Sequence, residues 1–463
     1  MKYINEKKIQ ELLNQPKPAD SSQLDAILEK SRSLKRLSLK EAAVLLAADG
    51  PGPLAKIFNA ANFVKESIYG RRIVLFAPLY ISNICVNNCL YCAFKSDNKL
   101  TVRKSLSSGE IREQARWLLR RGHKRILMVA GESEAFGKKP VDYYVESMRA
   151  IYSASAGPHK IKRVNVNCAP LSVEEFKKLK SAGIGTYQLF QETYHDATYC
   201  QVHPSGPKSD PDNRIDAVDR AFTAGIDDIG VGVLYGLYDW KFETLALLTH
   251  IEHLEDKFNV GPHTISVPRI EPAQGVEFTE HMPHKVSDAN FKKLVAILRL
   301  AVPYTGIILS TRETAQMRDG LLSLGVSQIS AESRTSPGGY SSGDNNQNRE
   351  IQFTIGDQRT LDEVIASLLE KNYIPSFCAA CYRKERTGEV FMGLAKPGAI
   401  KGKCSVNALV TLKEYLDDFA SDSVKNTGHK LIEDSKKCLD QKSLALVSKF
   451  FADIAKGGRD KFV

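Results

Sequence analysis

The segment RIVLFAPLYISNICVNNCLYCAF, residues 72–94, joins an apolar strand pattern to three closely spaced cysteines. Its first part, 72–82, is rich in β-branched and aromatic side chains, which favour a strand. Cys85, Cys89 and Cys92 follow at once in a C-x3-C-x2-C pattern. In parallel β/α proteins, chemistry gathers in the loops that follow strands. The three cysteines are therefore candidates for a functional site.

Seven further runs of the same kind follow, and helical patterns such as 109–122, 172–183 and 216–225 separate them. Ser172 and Glu175 form an S-x-x-E capping box at the start of one helix. Alternating strands and helices indicate an α/β fold with parallel strands. The eight predicted strands favour a closed (β/α)8 TIM-type barrel over an open doubly wound sheet. The predicted strands are 72–82, 125–132, 163–170, 186–194, 228–236, 263–270, 306–313 and 327–333.

Three parts are expected along the chain. Residues 1–70 form an N-terminal helical segment, 71–340 form the barrel, and 341–463 form a C-terminal helical extension. A polar stretch rich in Gly, Ser and Asn, within 334–357, interrupts the rhythm of strands and helices. The extension is expected to hold a second metal site and to end in two amphipathic helices.

The chain of 463 residues is 43% hydrophobic and 25% charged, which is usual for soluble globular proteins. Its formal net charge of +10 would suit a nucleic acid, but the basic residues are scattered, which favours a solvated basic surface. No apolar run approaches the roughly 20 residues that span a bilayer, and the N-terminus lacks a signal-peptide core. We expect a cytoplasmic protein with no nucleic-acid and no membrane partner.

Six of the nine cysteines fall into two tight groups, which indicates metal binding rather than a disulfide scaffold. The first group, Cys85, Cys89 and Cys92, can hold three corners of a [4Fe–4S] cube and leave the fourth iron open. A structural zinc site is the alternative, but it needs four ligands, and no fourth Cys or His lies nearby in sequence. An open iron can chelate S-adenosylmethionine (SAM), and reduction then releases a 5′-deoxyadenosyl radical.

This first group resembles the signature of the radical SAM superfamily, and an aromatic residue before the last cysteine adds to the resemblance. Further candidate contacts with SAM lie at the carboxyl ends of predicted strands, where a barrel places its chemistry. The candidates are Tyr91 and the glycine-rich 231–236 for adenine, Gly131 and Glu132 for the amino group, Glu192 for the ribose and Arg214 for the carboxylate.

In the second group, Cys378 and Cys381 form C-x2-C, and Cys404 follows after residues 382–403. Three thiolates again suit a [4Fe–4S] cluster, since the second C-x2-C pair of a zinc ribbon is absent. The remaining cysteines fit neither group and are expected to be buried, inert thiols. They are Cys168, Cys200 and Cys438.

Together, the two groups on a chain of this length resemble the tyrosine lyases that help to mature [FeFe]-hydrogenase, over essentially the whole chain. The resemblance implies cleavage of the Cα–Cβ bond of L-tyrosine to p-cresol and dehydroglycine. Dehydroglycine would then give carbon monoxide and cyanide at the second cluster, on an extra iron bridged by a free cysteine. The resulting iron–carbonyl–cyanide unit would serve the hydrogenase H-cluster. The implied partners are an electron donor and other hydrogenase maturation proteins.

The same resemblance makes His263 the protein ligand of the extra iron, and imidazole suits iron. His263 opens the sixth predicted strand, so it should lie at the amino end of the barrel, opposite the SAM loop. A strand of about eight residues at ~3.3 Å per residue then separates the two clusters by roughly 26 Å. We expect an internal tunnel to carry the small intermediate between them.

The carboxylate of tyrosine should bind an arginine near SAM. The candidates are Arg312 and Arg334, with Ser333 beside the latter, and Arg269. Each arginine could instead pair with a structural carboxylate such as Glu271 or Glu313. Glu332 stands where a small residue is expected in relatives, and it places a carboxylate near Arg334.

Two other functions are open from the sequence. A tyrosine lyase of thiamine thiazole synthesis shares the barrel and the first cysteine group, but it does not account for the second group. A non-catalytic iron–sulfur scaffold, the other alternative, would need no SAM-specific features such as Tyr91.

Overall fold

The computed structural model describes residues 1–15, 21–341 and 351–463. Eight parallel strands close into a barrel, because the last strand pairs with the first through Val74 opposite Gln328. The predicted (β/α)8 barrel is confirmed. The barrel strands are β1 (Arg72–Ser82), β2 (Arg125–Ala130), β5 (Arg163–Asn167), β6 (Tyr187–Glu192), β7 (Ile229–Val233), β8 (Thr264–Ser266), β9 (Gly306–Leu309) and β10 (Val326–Ser330).

The intervening strands β3 (Ser155–Ala156) and β4 (His159–Lys160) form a separate antiparallel ribbon. Helices precede, surround and follow the barrel. The four N-terminal helices are α1 (Glu6–Asn14), α2 (Ser21–Arg32), α3 (Leu39–Ala47) and α4 (Pro51–Tyr69). Those around the barrel are α5 (Ser108–Arg120), α6 (Pro140–Ser153), α7 (Val173–Ser181), α8 (Asp196–Val202), α9 (Pro211–Thr223), α10 (Trp240–Phe258), α11 (Asp288–Ala301), α12 (Ala315–Leu321) and α13 (Leu361–Glu370).

The C-terminal part is helical, as predicted. Its helices are α14 (Ala380–Arg383), α15 (Gly388–Ala395), α16 (Ile400–Asp418), α17 (Asp422–Lys436) and α18 (Gln441–Ala455). Both predicted C-terminal helices are present, within α16 and α18, and the sequence analysis missed α17 between them. Part of the polar stretch within 334–357 lies outside the described residues, and the domain boundaries at 71 and 341 stay predictions. No helix in the described ranges is both long and apolar enough to cross a membrane.

Apart from β1, the barrel strands end before their predicted carboxyl ends. β8 stops at Ser266 and β9 at Leu309, whereas the sequence pattern continues to 270 and 313. Beyond these points the regular ladder of hydrogen bonds ends, apart from an isolated bridge between Tyr235 and Arg269. Several of these residues line a cavity at that end of the barrel. An apolar or β-branched residue can satisfy a sequence pattern there without belonging to the sheet.

β1 is eleven residues long, and its two ends have different neighbours. Its carboxyl-terminal half pairs with β2, from Ala77 onward. Its amino-terminal end pairs with a ninth strand, β11 (Ile374–Ser376), which the sequence analysis did not predict. β11 ends two residues before Cys378, so pairing with β1 places the second cysteine group at the amino end of the barrel.

Side chains alternate along each strand between the barrel interior and the surrounding helices. In β1, Ile73 and Leu75 are fully buried against the helical layer. Phe76, Pro78 and Tyr80 line the interior cavity. The same alternation directs Arg72 into the interior at the amino end. The hydrophobic core therefore lies mainly between the sheet and the helices, and the barrel interior is available for a site.

Candidate active site

The loop that carries the first cysteine group leaves β1 at Ser82 and returns to an isolated bridge between Ser82 and Ser105. The side chain of Arg103 holds this loop together. Its guanidinium donates to the backbone carbonyls of Asn83 and Phe94, at 2.9 and 2.8 Å, and to two further carbonyls in the loop. A loop of irregular backbone is thus fixed by one multidentate donor.

Gly131, directly after β2, lies against this loop. A methyl group at Gly131 would overlap the carbonyl oxygen of Ile84 and approach the Cβ of Cys85 to 3.2 Å. Only glycine allows the two segments to come so close. The next residue, Glu132, accepts a hydrogen bond from Asn87 at 2.6 Å, and its carbonyl accepts one from the backbone of Val86 at 2.9 Å.

Cys85, Cys89 and Cys92 line one cavity of about 220 Å³, which lies at the carboxyl end of the barrel. The cavity also contacts the predicted SAM-binding side chains, and the structure brings all of them together. These are Tyr91, Gly131, Glu132, Glu192 and Arg214, with Leu234 from the predicted 231–236 segment. The arrangement provides one site at which three thiols, carboxylates and cations meet.

Two amide side chains donate hydrogen bonds to the sulfur atoms of this group. Asn87 lies 3.7 Å from the Sγ of Cys85, and Gln352 lies 3.7 Å from the Sγ of Cys92. The hydroxyl of Tyr80 donates to Gln352 at 2.8 Å, which orients its amide. Sequence reasoning missed both amides, and for Gln352 no sequence signal was available, since it lies 260 residues from its cysteine.

Glu192 is the centre of a buried group of charges. Lys208 approaches it to 2.6 Å and Arg214 to 3.4 Å, and Arg214 also donates to the carbonyl of Phe190 at 2.8 Å. Burial raises the pKa of Glu192, but Lys208 and Arg214 outweigh this effect and hold the pKa below its usual value. Glu192 is therefore ionised. Its backbone is left-handed, with φ of 75°, at a register shift between β6 and β7.

Tyr91 is fixed by a hydrogen bond of 2.8 Å between its hydroxyl and His203. Lys208 lies over its ring at 5.4 Å from the centroid. Burial lowers the pKa of His203 to about 2, so its imidazole is neutral. Sequence analysis missed both Lys208 and His203, because each lies in the segment between α8 and α9, outside the strand ends that were searched.

Arg312 is the candidate arginine that faces the cavity. Its guanidinium stacks on the ring of Phe353, 3.3 Å from the centroid, and has no hydrogen bond or ion pair with another described side chain. Ser333 also lines the cavity, and its buried hydroxyl has no partner among the described atoms. An unpaired cation and an unpaired hydroxyl in the lining of one cavity suit an anionic ligand.

The other two candidate arginines have different surroundings. Arg269 forms ion pairs with Glu313 and, at 2.8 Å, with Asp288, and it does not line the cavity. Arg334 donates to the carbonyl of Ser333 at 3.3 Å and also lies outside the lining. Glu332 points toward helix α13, where it accepts a hydrogen bond of 3.2 Å from the backbone of Leu361.

The second cysteine group lies at the other end of the barrel. Arg125, at the start of β2, donates to the backbone carbonyl of Cys378, and Cys404 is buried in α16. His263 immediately precedes β8, and its ring lies 4.2 Å from that of Phe391, in the C-terminal part. His263 and the second cysteine group therefore lie at the same end of the barrel, the amino end that the sequence position of His263 predicted.

Both groups have the chemistry that a metal cluster requires. Burial raises the pKa of Cys92 and that of Cys404 to about 12, so these thiols need a cation to lose their protons at neutral pH. In the part of the chain that the structure describes, no three His, Cys, Asp or Glu side chains lie close enough to hold one common ion.

The three remaining cysteines are separate from both groups. Cys168 is buried and lines the carboxyl-end cavity. Cys200 and Cys438 are exposed, so the expectation that they are buried is wrong. Cys200 lies on the surface of α8, and Cys438 lies in the turn that follows α17.

Comparison with known proteins agrees with this geometry. Residues 79–249 match the family model of the radical SAM superfamily, and 266–374 match that of the biotin and thiamin synthesis associated domain. The 2-iminoacetate synthase of Escherichia coli is 31% identical over 353 residues, which cover 76% of this chain and 89% of that protein.

Two solved structures are similar over nearly the whole chain. A crystal structure of HydG, described as a maturase of the [FeFe]-hydrogenase, is 46% identical, with a TM-score of 0.95 and complete coverage of both chains. The HydG maturase from Carboxydothermus hydrogenoformans is 41% identical, with a TM-score of 0.82, and the match covers 96% of this chain and 97% of that one.

The contact between Gly131 and the cysteine loop gives a first prediction. Gly131→Ala should displace residues 84–85 and lower the free energy of unfolding by about 1–3 kcal/mol, as overpacking does. Thermal unfolding and the rate at which a thiol reagent labels the metal-free protein measure both effects. Gly109→Ala is the control, because a methyl group there makes only an ordinary contact at 3.8 Å. Equal labelling rates in the two variants would contradict the account.

Proposed function

Because the chain belongs to the HydG family of the radical SAM superfamily, we propose that it is a tyrosine lyase of [FeFe]-hydrogenase maturation. It cleaves L-tyrosine at the Cα–Cβ bond to p-cresol and dehydroglycine. It then forms carbon monoxide and cyanide at a second cluster, and these ligands collect on one iron for the H-cluster. The observation that carries the proposal is the presence of two separate cysteine groups, one at each end of a closed barrel.

The carboxyl-end cavity is the site of the first stage. Cys85, Cys89 and Cys92 would hold a [4Fe–4S] cluster with an open iron, and Asn87 and Gln352 would stabilise its thiolates through the N–H···S contacts. When bound, this cluster would supply one electron to SAM, whose cleavage gives methionine and the 5′-deoxyadenosyl radical. The largely apolar lining disfavours water near a species that would otherwise react with it.

The predicted contacts with SAM have distinct roles. Glu192 is ionised and accepts hydrogen bonds from the ribose hydroxyls, and Arg214 binds the carboxylate of SAM. Gly131 and Glu132 meet the amino group beside the cysteine loop. Tyr91, held by His203, lies against adenine. Lys208 keeps Glu192 charged and oriented.

Arg312 binds the carboxylate of L-tyrosine. Its guanidinium is unpaired and faces the same cavity as the cysteines, whereas the ion pairs of Arg269 and the position of Arg334 favour structural roles for those two. Ser333 donates a hydrogen bond to the bound substrate. Stacking on Phe353 keeps the guanidinium in one plane, which suits bidentate binding of a carboxylate.

The amino end of the barrel is the site of the second stage. Cys378, Cys381 and Cys404 would hold the second [4Fe–4S] cluster, and His263 would bind the extra iron together with a free cysteine. Burial lowers the pKa of His263 to about 4, so its imidazole is neutral and able to bind a metal.

Dehydroglycine travels through the barrel interior between the two sites. Alternation places Asn165, Gln188 and Thr264 on the interior surface, and Gly230 allows Gln188 and Thr264 to approach the backbone closely. A polar interior with glycines is unusual for a barrel of this type, which is normally filled with branched apolar side chains. It suits passage of a small polar molecule.

The protein acts in the cytoplasm with an electron donor and with other hydrogenase maturation proteins. A lyase of thiamine thiazole synthesis is the second candidate, supported by the resemblance to 2-iminoacetate synthase. It gives no role to the second cysteine group. A non-catalytic scaffold gives no role to Glu192, Arg214 and Arg312, three charged groups buried around one cavity.

Arg312→Gln should weaken the binding of L-tyrosine by about 2–4 kcal/mol, roughly 30- to 1000-fold, because a buried charge pair loses one partner. Calorimetry on the loaded enzyme without reductant measures this directly, with SAM affinity as an internal standard. Arg334→Gln is the matched comparison and should bind tyrosine normally. The reverse pattern would assign the substrate carboxylate to Arg334.

Cys404→Ala should separate the two stages. The first site is intact in this variant, so p-cresol and 5′-deoxyadenosine should still form, while carbon monoxide falls to background. Product analysis under anaerobic conditions, together with the iron content, measures this effect, and Cys438→Ala is the control at an exposed cysteine. Full carbon monoxide production by Cys404→Ala would refute the proposed function.

A further inference from the structure

Three arginines form the floor of the barrel interior at its amino end. Arg72, Arg125 and Arg163 occupy the first positions of β1, β2 and β5, in register with the alternation that directs Phe76, Leu127 and Asn167 to the interior. Arg125 and Arg163 are only 7% and 2% exposed. Three cations are thus held close together away from bulk water.

Arg163 has a full set of partners. It donates to Asn165 at 2.8 Å, to Thr186 at 2.7 Å and to Asp228 at 2.5 Å. Among the described carboxylates, Asp228 is the one that forms an ion pair with this group of arginines. One of the three positive charges is therefore neutralised within the protein.

Arg72 and Arg125 lack such partners in the described part of the chain. The Nε atoms of both are buried without a hydrogen bond. Arg125 has one acceptor, the carbonyl of Cys378, and the guanidinium of Arg72 lies 5.1 Å from the centroid of the Tyr69 ring. Buried cations in this state are costly unless a ligand pairs with them.

Two buried acceptors nearby are also unpaired within the described residues. They are Oδ1 of Asp228 and the hydroxyl of Thr264. Thr264 lies opposite Gly230, two residues along the same interior face from Asp228, and His263 comes within 3.9 Å of Asp228. Unpaired donors and unpaired acceptors thus occur at one end of the same interior.

We propose that Arg72 and Arg125 bind the carboxylate of a small α-amino or α-imino acid, whose nitrogen is bound by Asp228 and Thr264. Two guanidinium groups match a carboxylate, and a carboxylate beside a hydroxyl matches an ammonium or iminium group. The site lies beside Cys378, since Arg125 binds its carbonyl and Arg72 pairs in the sheet with Ile374 of β11.

Charge balance supports an anionic group. The identity of the ligand rests on the proposed function, in which the second cluster binds here. An oxidised cubane core carries two positive charges and its three thiolates carry three negative ones, so the cluster contributes a net single negative charge. Of the two arginine charges that Asp228 leaves uncompensated, one is then still unpaired, and the extra iron of the proposed function adds further positive charge. This excess of positive charge favours a ligand with a carboxylate.

Two acids of this chemistry take part in the proposed function, and separate arms of one experiment distinguish them. [14C]Glycine, the smallest stable α-amino acid, stands for the imino acid produced from tyrosine, and [35S]L-cysteine tests the bridging amino acid. Each is measured by anaerobic equilibrium dialysis against the enzyme with both clusters loaded, with saturating L-tyrosine and without reductant. Tyrosine occupies the carboxyl-end cavity under these conditions.

Arg72→Gln and Arg125→Gln should weaken the binding of at least one probe tenfold or more. The probe that responds identifies the acid. Arg72→Lys and Arg125→Lys keep the charge but lose the planar guanidinium group. They should also weaken the binding of the probe, and they replace a glutamine variant that fails to fold. Arg71→Gln is the matched control, because this neighbouring side chain is 52% exposed and pairs with Glu66.

Unchanged affinity for both probes in all four variants, or an equal loss in Arg71→Gln, would overturn the proposal. Carbon monoxide is assayed on the same wild-type sample after reduction. Normal binding of a probe without carbon monoxide would refute the proposed function and leave the acid site in place. If carbon monoxide forms but the arginine substitutions leave probe binding unchanged, the acid site is refuted and the proposed function stands.

Discussion

The length of β1 is the constraint on which the two-site arrangement depends. Its eleven residues exceed the three to six residues of the other barrel strands. Its carboxyl end leads directly into the first cysteine loop, and its amino end pairs with β11, which leads into the second group. One continuous strand thus fixes the separation of the two groups, and the closed barrel gives them a shared interior.

Charge is distributed differently at the two ends of this interior. At the carboxyl end, Glu192, Lys208 and Arg214 form a paired group, and Arg312 is left for a ligand. At the amino end, arginines outnumber the carboxylates that pair with them, so the floor of the barrel favours anions. The polar interior surface lies between these two ends. In the proposed function, the amino acid substrate and its cleavage product both carry a carboxylate, and each would find a cation at its own end of the barrel.

Much of the fold and of the ligand set follows from the sequence, because strand periodicity and cysteine spacing are local patterns. Cys85, Tyr91 and Glu192 could be assigned to one end of the barrel from their positions after predicted strands.

Other features depend on contacts between distant segments. Gln352 reaches Cys92 across 260 residues, and the three-residue strand β11 is too short to show a period. Strand ends were overestimated, since the residues that line a site can continue an apolar pattern outside the sheet. The choice of Arg312 over Arg269 likewise required the ion pair of Arg269 with Glu313, which sequence spacing does not reveal.

The separation of two clusters by the barrel is tested most directly by a pulsed EPR distance measurement on the doubly loaded, reduced protein. Ten residue steps along β1 at ~3.3 Å each, tilted by about 36° to the barrel axis, predict roughly 25–30 Å between the two spins. Loss of the dipolar signal in Cys404→Ala would assign one spin to the second group. A separation below about 15 Å, or a single spin system in the fully loaded protein, would contradict a barrel with one cluster at each end.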